Sequence, residues 1–367
     1  MTNTEVKRPS VVVLGGGYGG LNTAKALDDV ADVTLVDPSG AFHHNVASWR
    51  ALVDPSWIDR IFLPLNRLLH HGRFVRDRAV AVDGRTVTLE SGAELTPDYL
   101  VLATGSQYPF PAKAGGSDER SAKDRLQAAH DELLGARRAL IVGAGPSGLE
   151  LAGEIKAFFP DKEVTVVDVN ADIMHGPFEQ ELRDELKRQL DKLGVRLVLG
   201  SPLTALPDAT PATATPVTVT TESGETVEAD IWFRAFGVRP ATDYLRGELA
   251  AARDERGYLP VDEHLRVKGG GDGVYALGDI STADRDTAGA ASRQASVVAA
   301  NIRSAIAGGD ATEAYEPGPV MIIVPLGPEG GATQLPTGVG GPEEASAIKG
   351  SAMLVDMYAK HFDAPER

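Results

Sequence analysis

The stretch Val11-Val12-Val13-Leu14-Gly15-Gly16-Gly17-Tyr18-Gly19-Gly20 constrains the fold more than any other part of the chain. Four aliphatic, mostly β-branched residues suit a parallel strand buried on both faces. They stop at a glycine turn, and the helix-forming stretch 21–27 follows. Gly15, Gly17 and Gly20 have the spacing G-x-G-x-x-G. In such a turn the first glycine makes the bend and the second lets backbone approach a pyrophosphate. The third lets the helix pack close to the strand. Free N–H groups and a partial positive charge at the helix start favour the phosphates. Val33-Thr34-Leu35-Val36 reads as the next strand, and Asp37 at its end is placed to accept hydrogen bonds from a ribose hydroxyl.

The same device recurs. Ala139-Leu140-Ile141-Val142 reads as a strand, Gly143-Ala144-Gly145-Pro146-Ser147-Gly148 as a second G-x-G-x-x-G turn, and 149–158 as its helix. Val164-Thr165-Val166-Val167 follows as a strand that ends at Asp168. The tails of the two modules also match. Strand 99–102 runs into Ala103-Thr104-Gly105, and strand 231–234 runs into Ala235-Phe236-Gly237. Later, Val274-Tyr275-Ala276-Leu277-Gly278-Asp279 delivers a carboxylate to a glycine corner. These patterns predict an α/β fold with two Rossmann-like dinucleotide-binding domains, the second inserted in the first. The expected division is 8–112 with 255–315 for the first, 113–254 for the second, and 316–367 as a small C-terminal region.

The remaining segments are read more coarsely. Residues 62–90 suggest short strands and a connecting helix, with a hairpin turning at Ser91-Gly92. Residues 110–116 read as a linker and the stretch up to 134 as a helix. Residues 178–193 form an amphipathic helix pattern, 202–221 two strands joined by a loop, and 288–306 a long helix. The tail 345–362 is weakly amphipathic, with Ile348, Leu354, Tyr358 and Phe362 near one face. That face suits the first domain, a second subunit or a membrane surface.

Composition narrows the chemistry. The chain has 52 acidic and 36 basic residues, a formal charge of −16, which repels nucleic acid and acidic proteins. It contains no cysteine, which excludes thiol–disulfide exchange, a cysteine nucleophile and cysteine-ligated clusters. No apolar run is long enough to span a bilayer, and Met1-Thr2-Asn3 lacks the glycine of an acylation signal. The expectation is a cytoplasmic protein, with peripheral contact at the inner face of a membrane and a homodimer left open. Asp168 stands where a 2′-phosphate would sit, so NADH is favoured over NADPH. The adjacent His43 and His44 diverge and lack a supporting cluster, so no metal site is expected.

These residues resemble the two-dinucleotide-domain flavoprotein reductases (glutathione-reductase-like). More narrowly, Phe42-His43-His44-Asn45-Val46-Ala47, Val261-Asp262-Glu263-His264-Leu265-Arg266-Val267 and Val274-Tyr275-Ala276-Leu277-Gly278-Asp279-Ile280 resemble the apoptosis-inducing-factor-like ferroptosis suppressor family. Type II NADH dehydrogenases are cousins. Their A-Q-x-A-x-Q motif survives here only as the last residue of Gly289-Ala290-Ala291-Ser292-Arg293-Gln294. The resemblance implies FAD on the first site, NAD(P)H on the second and a quinone as acceptor. The alternatives are a ferredoxin- or rubredoxin-type reductase and a redox-gated signalling flavoprotein. It implies FAD contacts from Gly15, Gly17, Tyr18, Gly19, Gly20, Asp37, Arg50, Ala103, Thr104, Gly105, Gly278 and Asp279. Asp279 is either a ribityl-binding acid or a solvated turn acid. For the nicotinamide nucleotide it implies Gly143, Gly145, Pro146, Ser147, Gly148, Asp168 and Gly237. Three residues are candidates for chemistry. Glu150 is a carboxylate near the nicotinamide or a plain helix-start acid stabilised by the helix terminus. His44 is a proton donor to quinone or a structural histidine. Lys349 is a cation facing the flavin or a solvated lysine.

Overall fold

The computed structural model describes residues 8–114 and 118–363. Thr2 and the Gly115-Gly116 part of the expected linker lie outside the described residues.

Two parallel sheets carry the structure. The first has the strand order Val274–Ala276, Tyr99–Leu102, Ser10–Leu14, Asp32–Val36, Arg73–Val75. Its central strand is apolar on both faces because neighbours cover both. Val11, Val13 and Leu14 are fully enclosed. Val12 stands opposite Thr34 on one side and Leu100 on the other. The second sheet has the order Val195–Leu199, Glu163–Asp168, Arg138–Val142, Ile231–Arg234. In each sheet the strand before a glycine turn is flanked by the acid-ending strand on one side. On the other side lies the strand that ends in a small-residue turn. The chain builds four strands of the first sheet, makes the second sheet, and returns at Val274–Ala276 to complete the first.

Helices follow the glycine turns. Tyr18–Leu27 packs on Ala288–Ile306, and Pro146–Phe158 packs on the C-terminal strand Ile322–Leu326. That strand begins an antiparallel sheet with Gly330–Leu335 and Gly338–Gly340. Helix contact there is close because Gly153 has no side chain: a Cβ would collide with the backbone of Leu326.

Three coarse readings change. Residues 110–114 are not a free linker, since Ala112 and Ala114 are buried beside Phe110. Residues 202–221 give one strand, Val217–Thr220, plus a single bridge from Leu203 to Thr221. The Pro-rich part cannot complete a second ladder strand. The tail is not one helix. It comprises Pro342–Ala345, a wide turn Ser346–Gly350 and Val355–Ala359, interrupted where Met353 and Leu354 take positive φ. Tyr358 and Phe362 are buried in the core around the first sheet. No helix among the described residues is long and apolar enough to cross a membrane.

Candidate active site

The two glycine turns are built alike, and each glycine has its own physical reason. Gly15 and Gly143 have φ of +101° and +115°, the left-handed region that favours glycine. A Cβ on Gly20 or Gly148 would fall on the carbonyl oxygen of Gly15 or Gly143 respectively. Gly17 and Gly145 differ from these. A Cβ on either would meet nothing within 4 Å, and their φ is −76° in both. Nothing inside the chain requires glycine there. The clearance faces outward over a helix N-terminus, which is the cradle a pyrophosphate occupies. The residues present therefore fit two dinucleotides.

The acids are placed equivalently too. Asp37 accepts from the N–H of Gly16 at 2.8 Å and from Ser39. Asp168 accepts from the N–H of Ala144 at 2.6 Å and from Asn170. Each carboxylate ties its strand end to the glycine turn beside it. Asp279 accepts from Ser106 Oγ at 2.6 Å and from Lys113 Nζ at 3.0 Å. Sequence spacing gives no sign of Lys113 as its partner. The Gly278 corner is fixed by Gln294, whose buried Oε1 accepts the Gly278 N–H at 2.7 Å. The surviving glutamine of the motif thus supports the corner that carries Asp279.

Ala103 and Gly105 line the turn after Tyr99–Leu102. Thr104 Oγ1 donates to the carbonyl of Ala241, where the two connecting segments cross. Gly19 faces inward, packed against Leu277. Pro146 takes the first helical turn, where its missing N–H costs nothing. Ser147 bonds the hydroxyl of Tyr108.

Four of the expected site residues have partners that the sequence does not show. Arg50 is enclosed and spends its guanidinium on Glu154 and on the carbonyl of Gly350. Within the chain it acts as a structural clamp. Tyr18 turns into an aromatic cluster, edge-on to Phe42 and Tyr358, both at 5.0 Å. His44 is fully buried, with Nε2 2.6 Å from the Met353 carbonyl and Nδ1 3.1 Å from the Tyr18 hydroxyl. A carbonyl only accepts, so Nε2 carries the proton and Tyr18 donates to Nδ1. Both ring nitrogens are engaged within the chain, leaving none for a substrate. Burial lowers the His44 pKa to about 4. Burial, with the nearby His44 and Lys113, lowers His43 to about 3. Finally, Glu150 is buried on the helix Pro146–Phe158. Burial dominates and raises its pKa, offset in part by Lys349.

Glu150 and Lys349 meet at 2.8 Å, with little exposure on either side chain. Lys349 is therefore not a solvated lysine. One turn further along the helix, Glu154 binds Arg50. The C-terminal turn is thus joined to the second cradle's helix by an ion pair and, through the Gly350 carbonyl, by the Arg50 clamp. Glu154 has no signature in sequence spacing.

Paired dinucleotide cradles on two parallel sheets define a two-nucleotide oxidoreductase. The chain belongs to the pyridine nucleotide-disulphide oxidoreductase family, whose model matches residues 9–295. It is 31% identical to ferroptosis suppressor protein 1 of Xenopus laevis, covering 88% of each chain. It is 28% identical to apoptosis-inducing factor homolog B of Dictyostelium discoideum, covering 99% of this chain and 98% of that one. The structure of NDH2 from Plasmodium falciparum in complex with NADH superposes with a TM-score of 0.77 at 14% identity, over 97% of both chains. The resemblance read from the sequence is thereby met. The disulphide of the family name has no counterpart here, because the chain has no cysteine.

Proposed function

We propose that this chain oxidises NADH and passes two electrons by way of FAD to a quinone. The observation that carries the reading is the pair of matching cradles in a chain without cysteine. Two nucleotides have seats, and no internal thiol pair exists to take the electrons, so the acceptor comes from outside. FAD, seated on Gly15, Gly17, Gly20, Asp37 and Asp279, would supply the two-electron relay between nicotinamide and acceptor. The proposal includes the division into 8–112 with 255–315, 113–254 and 316–367, supported by the order of strands in the two sheets.

The chain's own residues do the rest. Gly145 and the start of Pro146–Phe158 hold the second pyrophosphate. Asp168 accepts from ribose hydroxyls and repels a 2′-phosphate, which favours NADH. Glu150, raised by burial, holds a proton more readily than an ordinary carboxyl. Lys349 keeps a cation against it and counters negative charge that develops nearby. Contact of the tail with a membrane surface, where quinones dissolve, belongs to the same proposal. Ile348 and Met357 are its exposed large apolar side chains.

The test is an anaerobic titration of the purified protein. A flavin absorption band that bleaches with NADH and returns with a short-chain quinone supports the reading. A band that bleaches and does not return refutes the acceptor. Absence of flavin, before and after reconstitution, refutes the first cradle.

A further inference from the structure

We infer that Arg234 supplies the cation that holds the nicotinamide-side phosphate of the pyridine nucleotide, an inference that rests on the second cradle binding such a nucleotide. Arg234 ends the strand Ile231–Arg234 and stands in register with Val142, the residue before the second glycine turn. On the other flank of the same strand, Val142 stands in register with Val167, the residue before Asp168. The cradle therefore has an acid on one flank and an arginine on the other, level with one another. A dinucleotide laid across it with its adenosine ribose on Asp168 brings its second half toward Arg234.

The arginine is half-buried, and one of its nitrogens is unsatisfied. Its Nε is enclosed and has no hydrogen-bond partner. Among the described residues no carboxylate pairs with its guanidinium. The group lies 4.5 Å above the Phe236 ring. Gly237, with φ +94°, leaves it room: a Cβ there would lie 2.7 Å from Nη2. Its charge reaches Tyr108, whose hydroxyl bonds Ser147 within the glycine turn. An enclosed donor without an acceptor is rare enough to need an explanation. The planar guanidinium suits a phosphate, which it can grip with two parallel bonds. Nothing on this flank supplies that anion from within the chain.

The experiment uses the FAD-loaded protein, wild type, Arg234→Gln and Arg234→Lys, with binding of NAD+, ADP-ribose and AMP measured by calorimetry. AMP lacks the nicotinamide-side phosphate and ADP-ribose retains it. The expected result is a loss of about tenfold or more for NAD+ and ADP-ribose in Arg234→Gln. AMP affinity, flavin content and melting temperature stay at wild-type values, and Arg234→Lys falls between. Unchanged NAD+ and ADP-ribose affinity overturns the inference, as does an equal loss for AMP, which would mark collapse of the cradle. Loss for NAD+ with ADP-ribose unaffected also overturns it, placing Arg234 on the nicotinamide ring instead. If wild type binds none of the three, the dinucleotide reading itself falls. If wild type binds and Arg234→Gln binds equally, only the role of Arg234 falls.

Discussion

Arg50 and Glu154, 104 residues apart in sequence, form a bidentate ion pair with Nε–Oε2 at 2.6 Å and Nη2–Oε1 at 2.8 Å. Their side chains are 2% and 0% exposed. Arg50 Nη2 also donates to the Gly350 carbonyl at 2.8 Å, one residue from the lysine that binds Glu150. This clamp fastens the C-terminal turn to the helix of the second cradle. Desolvating two charges offsets much of their attraction, so the pair contributes position more than net stability.

Breaking the clamp on one side should therefore cost more than removing it. Arg50→Met or Glu154→Leu alone is expected to destabilise by about 3–5 kcal/mol, since each leaves an uncompensated buried charge. The double variant should recover most of that loss. Urea unfolding of the three variants, analysed as a double-mutant cycle, checks it.

The glycines should separate by role. Gly20→Ala and Gly148→Ala place a Cβ on a carbonyl oxygen and are expected to unfold their turns. Gly17→Ala and Gly145→Ala meet nothing in the chain, so the melting temperature of the flavin-free protein should hold. Gly17→Ala should purify with little flavin. Gly145→Ala should keep flavin and lose about tenfold or more in NAD+ affinity. Absorption spectra and calorimetry read both.

Asp168→Ser should narrow the preference for NADH. Removing the carboxylate removes its repulsion of a 2′-phosphate, and Ser can still accept from Asn170. The ratio of kcat/KM for NADH over NADPH is expected to fall about tenfold or more, the weight of one close like-charge contact.

His44 predicts a pH dependence of stability. Its folded pKa is lowered to about 4, while the unfolded value is 6.5. Between those values the unfolded chain binds the proton and the folded one does not. Stability is complete above pH 6.5, falls as pH drops toward 4, and levels below. The loss amounts to about 3 kcal/mol at 1.4 kcal/mol per unit. His44→Gln, whose amide can still donate to the Met353 carbonyl, should remove that share of the slope and leave the share from His43, which is lowered to about 3. The difference in unfolding free energy between wild type and variant across this range measures it.

Some of the site was legible because local chemistry demands it. Gly15 and Gly143 bend the chain, and Asp37 and Asp168 close the turn through an N–H 21 and 24 residues back, across a single strand–helix–strand unit. The strand-turn-helix pattern therefore announces itself twice. The partners of Glu150, His44, Asp279 and Arg50 were not legible. Lys349, Met353, Lys113 and Glu154 are brought to them by packing of distant segments, and no periodicity records such pairings. The tail shows the same limit. Its weak amphipathic pattern is consistent with a helix, but Met353 and Leu354 leave helical backbone, and Tyr358 and Phe362 turn into the core.

The sequence by itself determined two glycine-turn modules on parallel strands, their flanking acids and the exclusion of internal thiol chemistry. These follow from backbone sterics, strand patterning and composition, which act within some thirty residues. Only the tertiary structure decided which charges are buried together. Glu150 with Lys349, Glu154 with Arg50, and the unpaired Arg234 beside the second turn depend on how helices and strands far apart in sequence dock. Burial then sets the protonation of each group, as it does for His44.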